Sequence, residues 1–468
     1  MLVRITPEEA GVRREGILRF LNEMKEKHLH MHDMMMLRHG KVFYEASFAP
    51  WSGDNLHMLF SLSKSFTSTA VGFAVQDGLL SLTDKLVDFF PEHLPAGPCE
   101  NMQKITVKHL LTMNTGHGVE PNHTDDCWEK AFLRSYVEHE PGTHFLYNTF
   151  GTFMLSAIVQ KVTGKKLLIY LREKLMDPLG MSPDIWTEES PSGVATGGYG
   201  MNVRVEDIAK LGQFYLQRGK WEGKQLLNEQ WILDAQTAWS DNSCNGQDSD
   251  WGQGYGYQFW MCMPKHVFRG DGAFGQYCII LPDQDMVIAI NSGVEDMGAV
   301  MKSIWDNILP AVDAPGGNEK IALPSSFVTA ARWEDRGKEV SAPVPEEAWL
   351  GTYVLQPGNG LAETVEIQKN KVLLDGCEMP LCLDKWTPFT WKAKKNEGTL
   401  EQAIIRVMEH AAVRAARRED ALILHACFVN TPFEVVLKLT FTAHGIRIHS
   451  RQNVGFDGTE NDVVGYKV

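Results

Sequence analysis

The chain has 468 residues, of which 44% are hydrophobic and 22% are charged, and its formal net charge is −14. This composition is typical of a globular protein with enough apolar material for a sizeable core, and the length predicts two or three domains, or one large and one small domain. The acidic balance and the lack of a basic run argue against a nucleic acid or an anionic membrane surface as a partner.

The first ten residues lack the charged and apolar regions of a signal peptide. No apolar run approaches the roughly 20 residues that span a bilayer. The eight cysteines are scattered without a C-x-x-C pair, so disulfides are not implied. We therefore expect a cytoplasmic protein with reduced cysteines and no membrane partner.

In chain order, the first predicted elements are an amphipathic helix over residues 7–28 and a β-hairpin that joins Met34–Leu37 to Val42–Phe48. His28, His30 and His32 alternate between them. Alternating histidines can bind a metal from one face of a strand, but no carboxylate or cysteine spacing completes the set. The pattern therefore favours a surface or loop position, and no metal site is predicted.

The stretch from His57 to Gly78 predicts a short apolar lead-in and then a helix that begins at Ser61. Ser61 and Lys64 are three residues apart, so they lie on the same face of that helix. A serine hydroxyl is a poor nucleophile until a base removes its proton, and a lysine with a lowered pKa can be that base. The alternative is an ordinary helix start with a serine cap and a solvated lysine.

A second stretch, from Glu140 to Gly151, has a Pro-Gly turn, then aromatic and polar residues, then a helix predicted over Thr152–Val162. Tyr147 lies just before that helix, where its side chain either points into a cleft or packs as a half-buried ring.

Later segments predict a glycine-rich turn at 193–200, a helix at 205–216 and a strand at 255–263. Residues 267–281 and 286–290 predict the rest of a three-stranded antiparallel meander, followed by a closing helix at 298–310. The glycine cluster at 270–275 indicates either a bulge or a close approach of the backbone to another group.

Residues 312–345 are rich in proline, glycine and serine and predict a linker. Beyond Trp349 strand patterns dominate, at 350–355, 363–369, 371–375, 402–407, 422–429, 433–441 and 446–450. We therefore expect a β-rich region over 346–468.

Three of these stretches together resemble the serine β-lactamase and penicillin-binding-protein superfamily, in particular its class C β-lactamase-like esterases and D-aminopeptidases. Ser61-Leu-Ser-Lys64 is similar to the S-x-x-K motif, and Tyr147-Asn148-Thr149 is similar to Y-x-N. Arg269-Gly270-Asp271-Gly272-Ala273 stands where the family has K-T-G or H-x-G.

The resemblance covers roughly residues 7–310 and implies an α/β (α+β) sandwich, in which helices flank an antiparallel sheet and a helical lobe is added. The tail looks like the all-β, lipocalin-like domains that some of these hydrolases carry. The expected division is a hydrolase domain at 1–311, a linker at 312–345 and a β-rich domain at 346–468.

The resemblance also implies roles. Ser61 would attack the acyl carbonyl and form an acyl-enzyme, and Lys64 and Tyr147 would share the proton transfers, with the acylation base left open. The backbone N–H groups of Ser61 and Ala273 would form the oxyanion hole, with Gly272 letting the strand edge approach the substrate. No cofactor is implied.

Two departures from the family pattern bear on the substrate. Thr149 replaces the usual asparagine; its hydroxyl can still contact Lys64 or the substrate but reaches less far. The third motif lacks its cation, and Asp271 there would repel a carboxylate unless Arg269 turns inward. We therefore expect a neutral ester or amide, or a substrate whose free amine pairs with Asp271. Alternatively, Asp271 is only a turn residue between glycines.

Three hypotheses follow. The first is a serine hydrolase of a small ester or amide, with Asn148, Thr149, Arg269, Asp271 and Gly272 around the substrate. The second is an amidase of the D-aminopeptidase kind. The third is an inactive binding protein on the same fold. The expected partner is a small molecule, and an oligomer is possible.

Overall fold

The computed structural model describes residues 2–121, 127–315, 321–324, 326–328, 341–357, 361–391, 410–418, 420–456 and 460–468. Within them the helices are α1 Arg14–Glu26, α2 Ser63–Gln76, α3 Leu86–Phe89, α4 Val107–Leu111, α5 Trp128–Arg134, α6 Thr149–Thr163, α7 Leu167–Leu171, α8 Val205–Leu216, α9 Glu229–Ala235 and α10 Met297–Ser303.

The strands of the first two-thirds of the chain are β1 Met31–Arg38, β2 Lys41–Ala49, β3 His57–Met58, β4 Trp186–Thr187, β5 Met201–Val203, β6 Lys220–Trp221, β7 Lys224–Gln225, β8 Trp260–Met261, β9 Phe268–Gly272, β10 Gln276–Leu281, β11 Met286–Ser292 and β12 Ser326–Val328. The remaining strands are β13 Gly351–Leu355, β14 Thr364–Ile367, β15 Lys371–Leu374, β16 Cys377–Pro380, β17 Thr387–Thr390, β18 His410–Arg418, β19 Ala421–Phe428, β20 Glu434–Thr442, β21 Gly445–Gln452 and β22 Glu460–Lys467.

Seven strands form the sheet that we call the N-terminal sheet, in the order β12-β2-β1-β11-β10-β9-β8. All neighbours are antiparallel except β12, which runs parallel to β2. Every residue of β1, β10 and β11 is buried, so both faces of the sheet are covered.

Successive side chains of β11 point to opposite faces of the sheet, and each face packs against its own apolar layer. Val287 and Ala289 pack into the cluster that holds α2, α6 and α8, whereas Ile288 and Ile290 pack into the cluster that holds α1 and α10. Helices α3 to α7 gather around α2 on the first side and form the helical lobe. The predicted sandwich is confirmed.

The other large sheet, which we call the C-terminal sheet, has ten antiparallel strands in the order β16-β15-β14-β13-β22-β21-β20-β19-β18-β17. Its two edge strands, β16 and β17, contact each other, so the sheet curves around its own apolar core. The all-β character of the tail is thereby confirmed. The strand predicted at 402–407 lies outside the described residues, and the domain boundaries at 311 and 346 stay a prediction.

Several expected boundaries are wrong. The helix expected at 7–28 is α1 alone, because residues 6–12 form consecutive turns that end with Val12 N donating to Pro7 O at 2.8 Å. The strand expected at 255–263 shrinks to β8, since Gln258 has a φ of +63°. None of the helices in the described part of the chain is long and apolar enough to cross a bilayer.

For the three alternating histidines a surface or loop position was expected: a surface position is wrong for two of them, and a loop position is wrong for His32, which lies in β1. His30 is 8% exposed and His32 is 0% exposed, and only His28 lies at the surface. Both buried rings face the C-terminal sheet, because Glu434 at the start of β20 approaches them.

Candidate active site

Ser61 lies in a single 3₁₀ turn, Phe60–Leu62, rather than at the start of an α-helix as expected. Helix α2 begins two residues later because Phe60 has a φ of +48°, a left-handed conformation that breaks the helical path. Such backbone strain is typical of functional turns. The spacing of three residues still brings Ser61 and Lys64 together, since positions i and i+3 eclipse in a 3₁₀ turn.

The turn is held against strand β9 by the glycines of the third motif. A Cβ on Gly272 would lie 1.9 Å from Leu59 O, and one on Gly270 would lie 2.4 Å from Ser65 Oγ. Only glycine therefore allows this contact. The close approach predicted from the glycine cluster is present, because Gly272 packs against the turn that carries Ser61. Gly272 also lines the cavity beside Ser61, and its approach to the substrate stays a prediction.

Lys64 is 1% exposed, and its amine contacts three oxygen atoms. Nζ lies 3.0 Å from Ser61 Oγ, 3.3 Å from Thr149 Oγ1 and 2.7 Å from Gly198 O. A neutral amine has two N–H groups and one lone pair. The Gly198 carbonyl and the Thr149 hydroxyl can accept both N–H groups, which leaves the lone pair for the hydroxyl proton of Ser61.

Burial lowers the pKa of Lys64 to about 7, while the nearby Glu120 and Asp271 oppose that shift. A large fraction of the amine is then neutral near pH 7, as general-base catalysis requires. The solvated-lysine interpretation is wrong.

Tyr147 also lies beside Lys64, with its ring centre 4.9 Å from Nζ. The ring also stacks on Trp260 at 5.1 Å. Burial raises the pKa of Tyr147 above its ordinary value, and the charge of Asp271 adds to this. The side chain is therefore a phenol at neutral pH, able to donate a proton but poorly suited to removing one.

Two of the expected substrate-binding residues lie elsewhere. Asn148 is fully buried and caps α6, with Oδ1 accepting from Gly151 N at 2.9 Å. Arg269 is also 0% exposed, and Nη1 donates to Asp250 O at 2.9 Å. Neither residue is among those that line the cavity beside Ser61, and their contact with substrate stays a prediction.

Asp271 belongs to β9 and is not a turn residue. Its Oδ2 lies 2.9 Å from both Nε and Nη2 of Arg269, because positions i and i+2 of a strand share a face. Burial raises the pKa of Asp271, and the guanidinium opposes that shift. The carboxylate that Asp271 presents to the cavity is therefore charge-compensated by Arg269.

The cavity beside Ser61 has a volume of about 520 Å³. Its lining combines aromatic, small and uncharged polar residues with one charged side chain, that of Asp271: Ser61, Tyr147, Asn245, Ser249, Trp251, Trp260, Asp271, Gly272, Ala273 and Met297. Such a site suits a small, largely apolar ligand.

Comparison with known proteins agrees with this geometry. Residues 24–312 match the family model described as Beta-lactamase. The chain belongs to the beta-lactamase family.

Among its relatives, the 6-aminohexanoate-dimer hydrolase of Paenarthrobacter ureafaciens is 25% identical over 318 residues, which is 60% of this chain and 78% of the relative. Among solved structures, EstCE1, a hydrolase with promiscuous acyltransferase activity, has a TM-score of 0.52 at 16% identity and covers 62% of this chain and 99% of its own. The octameric penicillin-binding protein homologue from Pyrococcus abyssi has a TM-score of 0.51 at 16% identity and covers 96% of this chain and 99% of its own.

Two groups that contact this beta-lactamase-family site were missed in the sequence. Gly198 O holds the Lys64 amine, and a Cβ there would lie 2.7 Å from Thr149 Cγ2. Its signal was the glycine-rich segment 193–200, which we interpreted only as a turn. Glu120 Oε1 accepts from the N–H groups of Thr149 and Phe150 at 2.6 and 3.2 Å, and a lone loop glutamate carries no sequence signal.

Proposed function

We propose that this chain is a serine hydrolase that forms an acyl-enzyme on Ser61 from a small, neutral ester or amide. The observation that carries the proposal is the environment of the Lys64 amine, 3.0 Å from Ser61 Oγ with two other oxygens placed to accept its N–H groups. That arrangement activates a serine as a nucleophile without a histidine.

In the proposed reaction neutral Lys64 accepts the hydroxyl proton as Ser61 Oγ attacks the acyl carbon. The resulting oxyanion is stabilised by the backbone N–H groups of Ser61 and Ala273. Tyr147, as a phenol, donates its proton to the leaving group and recovers one from Lys64. Water then attacks the acyl-enzyme with Lys64 again as base, which restores Ser61.

The neutral charge of the substrate follows from the cavity wall. Because Arg269 already pairs with Asp271, neither group offers a free charge to a substrate carboxylate or amine. A D-aminopeptidase-like amidase needs an unpaired acid for the free amine, so this pairing places the amidase second. An amide substrate remains in the proposal, and the relative named 6-aminohexanoate-dimer hydrolase is a reason to test amides.

A fluorophosphonate probe distinguishes an enzyme from an inactive binding protein. We expect one covalent adduct per chain on wild type and none on Ser61→Ala, measured by intact mass. Ser249→Ala is the matched control, because Ser249 lines the same cavity but is not the serine beside Lys64, and it should keep the adduct. An unlabelled wild type would contradict the proposal.

A substrate panel then tests the chemistry: nitrophenyl acyl esters, the 6-aminohexanoate dimer, D-amino-acid amides and a chromogenic cephalosporin. We expect kcat/KM for the neutral esters to exceed that for the charged substrates by at least about tenfold. Rapid cephalosporin turnover would overturn the argument from the Arg269–Asp271 pair.

A further inference from the structure

Five buried side chains meet where the two large sheets touch. His30 immediately precedes β1 and His32 is its second residue, His425 and Cys427 lie on β19, and Glu434 opens β20 directly opposite Cys427. None is more than 8% exposed. Because alternate residues of a strand point to one face, the His-x-His and His-x-Cys pairs each direct two donors into the junction.

The Glu434 carboxylate lies at the centre of the group. Oε1 is 2.7 Å from His30 Nδ1 and 4.0 Å from His32 Nε2, and Oε2 is 2.7 Å from His425 Nε2. Cys427 Sγ is 3.7 Å from the same His425 nitrogen. The donor atoms of His425, Cys427 and Glu434 all lie within 4.8 Å of one another.

His32 presents an unused lone pair to this group. His57 Nδ1 lies 3.0 Å from Met58 O, and a carbonyl only accepts, so Nδ1 carries the proton. Nε2 of a neutral His57 then accepts from His32 Nδ1 at 3.0 Å, which leaves His32 Nε2 unprotonated. That atom is buried and has no hydrogen-bond partner among the described residues, and Trp51 stacks on the ring at 3.7 Å and holds its orientation.

We propose that this group is a binding site for one divalent zinc-class ion that joins the two sheets. The ligands are His30 Nδ1, His32 Nε2, His425 Nε2 and a carboxylate oxygen of Glu434, with the Cys427 thiol beside them. Imidazole, carboxylate and thiolate are the donors that Zn²⁺ takes in proteins. The hydrogen bond to His57 orients His32 as the outer partner of a metal-bound imidazole does.

With bonds of about 2.0–2.1 Å, neighbouring ligand atoms of a tetrahedral zinc are roughly 3.3 Å apart. Around Glu434 the separations are 2.7 Å to His30, 2.7 Å to His425 and 4.0 Å to His32. The donor atoms that already lie within 4.8 Å of one another are those of His425, Cys427 and Glu434, so His30 and His32 must turn toward the ion to complete the set. The competing state has no metal, and Glu434 is hydrogen-bonded to His30 and His425.

The site is separate from the hydrolytic reaction, and its position indicates a structural role. His57 belongs to β3, whose Met58 N donates to Asn430 O at 2.9 Å. An ion here would hold the C-terminal sheet against the strand that leads into the Ser61 turn.

The test uses the full chain without a histidine tag, incubated with zinc chloride, desalted and analysed for metal. We expect about one zinc per chain in wild type and at least tenfold less in His32→Ala. His266→Ala is the matched control, since His266 is exposed and paired with Asp283. Wild type that retains no zinc, or a His32→Ala variant that retains as much as wild type, overturns the proposal.

A second measurement does not depend on the variant folding. Zinc added to metal-stripped wild type should raise Tm by several degrees, because an ion that binds only the folded state stabilises it. The same addition should leave the Tm of folded His32→Ala unchanged. A wild-type Tm that does not respond to zinc supports the metal-free His–Glu–His hydrogen bonds instead and contradicts the proposed zinc site.

Discussion

Among single residues, Lys64 should determine how the rate depends on pH. Its pKa is lowered to about 7, and only the neutral amine can accept the Ser61 proton. We expect kcat/KM for a nitrophenyl ester to rise about tenfold per pH unit below pH 7 and to level off above it. Steady-state rates between about pH 5 and pH 9 measure this. A profile that is flat through pH 7 would contradict the role of Lys64 as base.

The same amine links folding to pH. Its pKa falls from the ordinary value of 10.5 to about 7 on folding, so the unfolded chain binds more protons between those values. Below pH 7 the cost of burying the charged amine is fully present. The free energy of unfolding should therefore rise with pH between those two pKa values, because that cost disappears. We expect Lys64→Met to be more stable than wild type at pH 7 and to lose that advantage by about pH 10. Urea midpoints at both pH values test this, and an advantage that grows with pH would have the wrong sign.

Residue types and spacing predicted which side chains meet beside Lys64 better than they predicted the other partners of the motifs. Ser61 and Tyr147 both approach Lys64 because Ser61 lies in the turn before α2 and Tyr147 lies two residues before α6. The motifs assign Asn148 and Arg269 to the substrate. In the structure the Asn148 side chain is hydrogen-bonded to Gly151 N, and the Arg269 side chain is hydrogen-bonded to Asp271. The spacing of Arg269 and Asp271 on one strand could have predicted their pairing.

At the scale of elements, the approach of β9 to the Ser61 turn depends on Gly272. A Cβ there would lie 1.9 Å from Leu59 O, a backbone atom that cannot rotate away. We expect Gly272→Ala to reduce kcat/KM by at least about 100-fold and stability by about 1–3 kcal/mol, because strand and turn must separate. Fluorophosphonate labelling rates and thermal melts measure the two effects.

Gly97→Ala is the control for that substitution, since a Cβ on Gly97 would meet no atom within 4 Å. It should change neither the labelling rate nor Tm. If Gly272→Ala also behaved like wild type, the two elements would not need this close contact.

Periodicity identified most of the elements but not where α2 begins. The apolar positions after Ser61 predict a helix, and the structure contains one, but Phe60 in a left-handed conformation delays its start to Ser63. Strands β9 and β10 contact this turn, and they lie more than 200 residues away in the chain. Local propensity carries no information about that packing.

At the scale of the whole molecule, the C-terminal sheet packs beside the turn that carries Ser61. Phe60 lies 6.3 Å from Phe433 and 5.9 Å from Phe456, measured between ring centres. Phe433 is 4% exposed and Phe456 is 63% exposed. We expect Phe433→Ala to destabilise the protein by about 3–5 kcal/mol and to slow acylation of Ser61. Phe456→Ala, the same change on an exposed ring of the same cluster, should cost less than about 1 kcal/mol.

Paired denaturant curves and labelling rates for the two phenylalanine variants test this ordering. An equal loss of unfolding free energy in both variants would mean that burial of the ring does not determine the destabilisation. The junction itself could not be predicted from the sequence, because its contacts join residues near position 60 to residues beyond position 428. Strand patterns predicted the C-terminal sheet, but nothing in them indicated which surface it covers.

The bond from Met58 N to Asn430 O also has a consequence for how the protein is made. A ribosome that adds roughly 5–20 residues per second needs roughly 20–75 s to pass from Ser61 to Glu434. Throughout that interval β20 has not been made to cover Phe60, His30 and His32, so the nascent chain exposes an apolar surface beside Ser61. The turn that carries Ser61 should therefore reach its final packing only after β20 has emerged, and chaperones have their longest opportunity to bind at this surface.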